Sequence, residues 1–219
     1  MKNNLTYLIA AIAFVIAFSA CEDDDDKIYS PKPRGYFKID FPEKKYRRFD
    51  SLSQCSFEIP EYSYVETGRQ GVNVDTGRYA NANPHWLNLK FPKYKATVNL
   101  THLSVNNNLN NFLEDSRFFA LSKHQVKATG IDETIVIRDN EKVYGLVFDI
   151  AGNTASSVQF YLTDSTKHFM RGALYFNSVP NIDSLKIVID FIRADILHLV
   201  QTCNWKNPGE EPKTKKIKN

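Results

Sequence analysis

The sequence predicts an α+β fold: a single domain, mostly antiparallel sheet covered by at least two helices, held behind an N-terminal leader and flexible spacer. Three observations predict it. "ETIVIRDNEKVYGLVFDI" reads as a β-hairpin, with two β-branched and aromatic runs around the turn-forming "RDNEK". "SSVQFYLTD" and "HFMRGALYF", joined by "DSTK", extend it into a meander. "NIDSLKIVIDFIRADILHLVQ" places Leu185, Val188, Ile189, Ile192, Ile196, Leu199 and Val200 on one helical stripe, with Lys186, Asp190, Arg193 and Asp195 off it.

The remaining elements follow in order. "CSFEIP" and "LNLKF" are short strands, separated by "ETGRQGVNVDTGRYANANP", whose Gly and Asn content predicts a long irregular loop. Ala96–Val105 is the next strand. Leu109, Phe112, Leu113 and Ala120 then recur at helical spacing, with Asn108 available as a cap. In the second arm of the hairpin, Tyr144, Leu146, Phe148 and Ile150 alternate onto one face and are core candidates.

Upstream of the domain the chain changes character. A short cationic start, "MKNN", precedes the uncharged run Leu5–Phe18, too short for an ordinary membrane-spanning helix and right for a signal-peptide core. The run ends in "FSAC", and small residues before a cysteine are the lipobox pattern of bacterial lipoproteins. The pattern implies cleavage before Cys21, a diacylglyceryl group on its sulfur and acylation of its new amino terminus. Phe18 stands where Leu is usual. Two or three chains on Cys21 make the bilayer attachment effectively permanent, because each buried methylene contributes about 0.8 kcal/mol. The expected organisation is a leader at 1–20, an acidic, proline-bearing tether at 21–34, a globular domain at 35–206 and a basic tail at 207–219 without apolar content to bury. From Glu22 to Arg34 the tether reaches at most roughly 45 Å.

Charge divides along the same line. The chain holds 28 basic and 25 acidic residues; the leader removes only Lys2 and the run Glu22–Asp26 five acids, leaving 27 against 20. Much of that excess lies in "PKPRGYFKIDFPEKKYRRF". In this arm Arg34, Arg47 and Arg48 supply forked donors, and Tyr36, Phe37, Tyr46 and Phe49 supply apolar anchors, the residue types common at binding hot spots. The alternative is a solvated arm whose aromatics pack on the domain edge. An exported lipoprotein rarely meets nucleic acid, so the expected partners are the bilayer and other envelope proteins.

With Cys21 acylated, Cys55 and Cys203 remain, an even pair in a compartment that permits disulfides. A bridge closing a loop of about 150 residues contributes roughly 5 kcal/mol in the chain-entropy treatment. The five histidines form no HxH or HExxH pattern, and no GxSxG elbow, P-loop or GxGxxG is present. No metal, cofactor or catalytic residue is therefore assigned. Glu58, Glu61 and Asp75 are carboxylates that three-dimensional proximity alone could unite.

The words "PKPRGYFKIDFPEKKYRRF", "CSFEIPEYS", "NPHWLNLKFPKYKATVNLTH", "FLEDSRFFALSKH" and "CNWKN", in this order from Lys32 to Trp205, resemble the gliding-motility lipoprotein GldD family. The resemblance implies a non-catalytic, outer-membrane-associated lipoprotein required for surface gliding, linked to the motility and type IX secretion machinery and facing the periplasm. The acids after Cys21 resemble the signal that sends some lipoproteins of such bacteria to the cell surface. Two other functions fit an antiparallel sheet under helices: an envelope ligand-binding module on a scaffold like that of the PsbP proteins, and an envelope hydrolase acting on glycan or peptide.

Overall fold

The structure, a computed structural model, describes residues 38–50, 54–67, 85–122, 126–177 and 182–206. The described residues from Asp40 onward belong to one compact unit. In chain order the elements are β1 (Tyr46–Phe49), β2 (Cys55–Pro60), β3 (Tyr64–Thr67), β4 (His85–Phe91), β5 (Ala96–Ser104), α1 (Leu109–Arg117), β6 (Ala128–Arg138), β7 (Val143–Gly152), β8 (Ser156–Thr163), β9 (His168–Phe176), α2 (Ile182–Thr202) and β10 (Asn204–Trp205). Seven strands form one sheet in the order β3-β4-β5-β9-β8-β7-β6, and the other three form a second, β1-β2-β10. The described pairings are all antiparallel. The mostly antiparallel α+β domain read from the sequence is the one observed.

Period-two alternation sorts the large sheet into two faces. Leu103, Phe148, Ile150 and Phe169 point to one, where Phe112 of α1 and Ala120 of the π-helical turn that follows close over them. Of the four core candidates in β7, Phe148 and Ile150 are buried, whereas Tyr144 and Leu146 stay partly open. They lie opposite Ile137 and Ile135 of β6. Asn108 begins α1 without capping it: its side-chain oxygen accepts from the N–H of Asn106. At the β8–β9 turn, Asp164 Oδ1 accepts from the N–H groups of Thr166, Lys167 and His168, which closes "DSTK" tightly.

The opposite face carries Val98, Leu100 and Asp149. Here α2 packs on β2 and β8. Of its predicted stripe, Val188, Ile192, Ile196, Leu199 and Val200 are buried, and Leu185 and Ile189 are partly so. One residue departs from prediction: Asp195, assigned to the polar side, is 1% exposed. A buried carboxylate persists only when its charge and lone pairs find partners. Lys44 Nζ (2.6 Å) and Tyr46 Oη (3.0 Å) donate to its Oδ1, and Tyr62 Oη (2.6 Å) donates to its Oδ2. Lys44 also donates to the Phe191 carbonyl at 2.6 Å and lies over the Phe191 ring, 3.6 Å from its centroid. Phe41 stacks on the same ring at 4.3 Å. The segment from Phe41 to Phe49 is thereby fastened to α2 and is part of the fold.

Asp195→Ala removes the acceptor shared by three donors. Chemical denaturation of the variant at pH 7 is expected to show a loss of about 3 kcal/mol, the scale for breaking a buried ion pair. A loss below about 1 kcal/mol, typical of a surface pair, contradicts this description.

Candidate functional site

Of the residues assigned to partner binding, Arg34, Tyr36 and Phe37 lie outside the described residues, as does Cys21. The other four make up β1, an edge strand of the small sheet. Its two aromatics face inward. Tyr46 stacks on the His198 imidazole with ring centroids 3.6 Å apart, and its hydroxyl is spent on Asp195. Burial, then the hydrogen bond to Asp195, push that hydroxyl's pKa far above the ordinary range. Phe49 is buried against Phe57. As apolar anchors for a partner, Tyr46 and Phe49 are therefore corrected: they pack the edge of the domain. Arg47 and Arg48 are exposed. Their guanidinium groups donate to the Ser63 carbonyl (3.4 Å) and to Ser56 Oγ (2.6 Å).

Within the large sheet, strand register assembles a cluster that residue spacing does not reveal. His85 and His102 are cross-strand partners in β4 and β5, and His168 sits two residues from Met170, the partner of His102 in β9. All three imidazoles share the face beneath β10. His102 Nε2 and His168 Nδ1 are 3.2 Å apart. Such a contact needs one donor and one acceptor, so both rings cannot be protonated. His168 stacks on Trp205 at 5.2 Å. His85 Nε2 lies 2.9 Å from the Gln54 amide nitrogen, while Gln54 Oε1 is buried and unpartnered. The contact is satisfied when the Gln54 amide donates to an unprotonated His85 Nε2. His102 Nδ1 is likewise buried without a partner. Burial, followed by the neighbouring His168 and His85, lowers the His102 pKa to about 3, and burial lowers that of His168. Among the described residues, no group of three or more His, Cys, Asp and Glu side chains stands at metal-holding geometry.

Cys55 opens β2, and Cys203 links α2 to β10, where Trp205 pairs with Cys55. Both are buried free thiols, so the bridge expected from parity is not formed in this structure. Burial pushes the Cys55 thiol up to about 12 and that of Cys203 well above its ordinary value, Cys55 adding to the latter. Neither is a nucleophile at neutral pH.

Of the three carboxylates named as a possible catalytic group, two are described. Glu58 is bound to His198 Nε2 at 2.7 Å, Glu61 is exposed in the turn after β2, and Asp75 lies outside the described residues. A groove of about 360 Å³ runs between α2 and β6–β7, lined by Asp132, Asp149, Lys186, Asp190 and Arg193 among others. Its charges are mostly matched to one another. Arg193 grips Asp149 with two hydrogen bonds of 2.5 and 2.6 Å, and Lys186 donates to Asp190 at 2.8 Å. Ion pairing within the groove leaves little convergent polarity for a ligand.

The fold defines a single-domain α+β module. No helix among the described residues is long and apolar enough to cross a membrane. Compared with known families, residues 26–205 match the one described as gliding motility lipoprotein GldD. The chain belongs to that family, and its association with gliding motility follows. No curated protein and no solved structure matches it.

The histidine seam gives the domain a pH signature. Because the folded ring stays neutral down to about pH 3 while an unfolded histidine titrates near 6.5, the unfolded chain gains a proton first as pH falls. Stability contributed by His102 is thus complete above pH 6.5 and is lost on acidification, by about 1.4 kcal/mol per pH unit below it. Denaturation midpoints measured from pH 7 to pH 5 should fall in the native protein and fall less steeply in His102→Gln. Equal slopes in the two proteins would show that His102 does not titrate this way.

Proposed function

We propose that the protein is an outer-membrane lipoprotein, tied to the bilayer through acylated Cys21, and a non-catalytic component of the gliding machinery that works with type IX secretion. The family match over residues 26–205 carries this reading. The leader ending in "FSAC" supports the anchor, and the absence of a recognisable catalytic motif in the sequence agrees with a binding role. The partner contact is proposed at Arg47 and Arg48, whose exposed forks suit carboxylates or phosphates of another envelope component. Arg34, Tyr36 and Phe37 extend that surface in sequence.

The test uses cells carrying one of two variants. Cys21→Ser should accumulate as unprocessed precursor without lipid label, and normal labelling of it would remove the anchor. Arg47→Ala combined with Arg48→Ala should keep the melting temperature within about 3 °C, since exposed charges contribute little. The same double variant should impair gliding. If it glides normally, the contact lies elsewhere. Surface protease accessibility of the native protein assigns the leaflet, with the periplasmic face proposed.

We also propose that Cys55 and Cys203 become linked after export, while the chain is still folding and both thiols are accessible, by exchange with the disulfide of an envelope oxidoreductase, which is itself reduced to a dithiol. The support is their burial together at the β2–β10 junction and an oxidising compartment. Mass analysis of unreduced peptides should find the pair joined; two free thiols in freshly exported protein would refute the link.

A further inference from the structure

The apolar cluster beneath α1 takes Leu103 from β5 and Phe169 from β9. Further along these strands the same face changes character. Register lays three cross-strand rows on it, over β4, β5 and β9. The first row is Trp86, Thr101 and Arg171, and the second is Asn88, Asn99 and Ala173. Lys90, Thr97 and Tyr175 make the third. Side-chain length turns this grid into a shallow dish: its centre and the middles of its sides are asparagine, threonine or alanine, and its corners are long. Antiparallel sheets commonly leave one face to water, and threonine suits that role. Asparagine does not, since it is depleted from strands. Asn88 and Asn99 lie directly opposite one another in two interior strands, and neither amide makes a hydrogen bond among the described residues. Asn88 is nonetheless only 9% exposed. A nearly buried amide without a partner costs free energy unless a group from outside the protein meets it.

Three features select the occupant. First, β4, β5 and β9 each lie between two partner strands, so a peptide cannot join them through main-chain hydrogen bonds. Recognition falls to side chains, and the amides and hydroxyls of the floor both donate and accept, which matches a ligand covered in hydroxyl groups. Second, Trp86 and Tyr175 occupy opposite corners, about 17 Å apart at their Cα atoms with Asn99 midway. The electron-rich face of an aromatic ring takes the positively polarised C–H groups of a sugar ring, and this spacing suits a chain of rings, not a single one. Third, the other two corners are cationic. Lys90 reaches Glu66 only at 3.5 Å, in a partly exposed pair that contributes little. Arg171 donates to Gln159 Oε1 at 3.1 Å and lies 4.2 Å from the Phe119 ring centroid, which fixes its fork at the rim.

We propose that this dish binds an acidic glycan. The chain of sugar rings lies along the line from Trp86 through Asn99 to Tyr175, sets its hydroxyls on Asn88, Asn99 and the two threonines, and turns carboxylates to Arg171 and Lys90. The site is separate from β1 and depends neither on the arginines there nor on the lipid anchor.

The test is titration calorimetry on the full-length protein in phosphatidylcholine nanodiscs, with oligogalacturonate and oligomannuronate as probes and their carboxyl-reduced forms as neutral counterparts. At least one acidic chain should bind, roughly tenfold or more tightly than its reduced form. Asn99→Val, which suits a strand, should weaken that binding by roughly tenfold or more and leave the melting temperature within about 3 °C. Tyr175→Ala, at an exposed corner, must weaken it as well, which keeps the test decisive if the Asn99 variant unfolds. Lys90→Gln should narrow the gap between each acidic chain and its reduced form. Binding of neither acidic chain, equal binding of the reduced chains, or binding that the Asn99 and Tyr175 variants leave unchanged each overturns the proposal.

Discussion

Asp195 has no exposed side-chain surface, and its three donors come from Lys44, Tyr46 and Tyr62, far away in sequence. A carboxylate so placed is tolerable only while those donors remain, so the segment that bears Lys44 and Tyr46 must stay on α2 for the helix to stay buried. The aromatic rings of Phe41, Tyr62 and Tyr94 gather around Phe191 one turn earlier on the same helix. Together they convert a basic, aromatic stretch into a structural strap. The tyrosine hydroxyls are held neutral by burial and by the carboxylate they serve.

That strap explains why β2 is the junction of the domain. It lies between β1 and β10, and α2 packs against it. The chain therefore enters and leaves the fold on two sides of one strand, with Cys55 at its start and Cys203 just before the closing strand. The histidine seam lies under the same closing strand, where Trp205 covers His168. Acid sensitivity and thiol chemistry thus meet at one seam between the two sheets. The large sheet's far edge, β6, lies at the opposite end of the strand order and takes no part in this closure.

Much of the architecture was legible because it rests on local period. The alternation in β7, β8 and β9 and the stripe from Val188 to Val200 each follow from neighbours a few residues apart, and each element formed where the pattern placed it. What the sequence concealed depends on strand order or distant donors. Asp195 reads as a solvated charge until residues about 150 positions away supply its hydrogen bonds. His85, His102 and His168 read as unrelated until β5 pairs with both β4 and β9. Tyr46 and Phe49 carried the right residue types for binding, yet packing claimed them, while Arg47 and Arg48 kept their charges outside. β1 and β10 are too short to announce themselves.

The segment from Phe41 to Phe49 is held as part of the folded unit and not as a solvated extension. Native-state hydrogen exchange on the full chain tests it directly, comparing the amides of Tyr46–Phe49 that pair with β2 against those of Phe57 and Ile59 within β2. A clamped arm predicts that both sets open together, with protection free energies agreeing within about 1 kcal/mol. Exchange of the β1 amides at near-unfolded rates while β2 stays protected would contradict it.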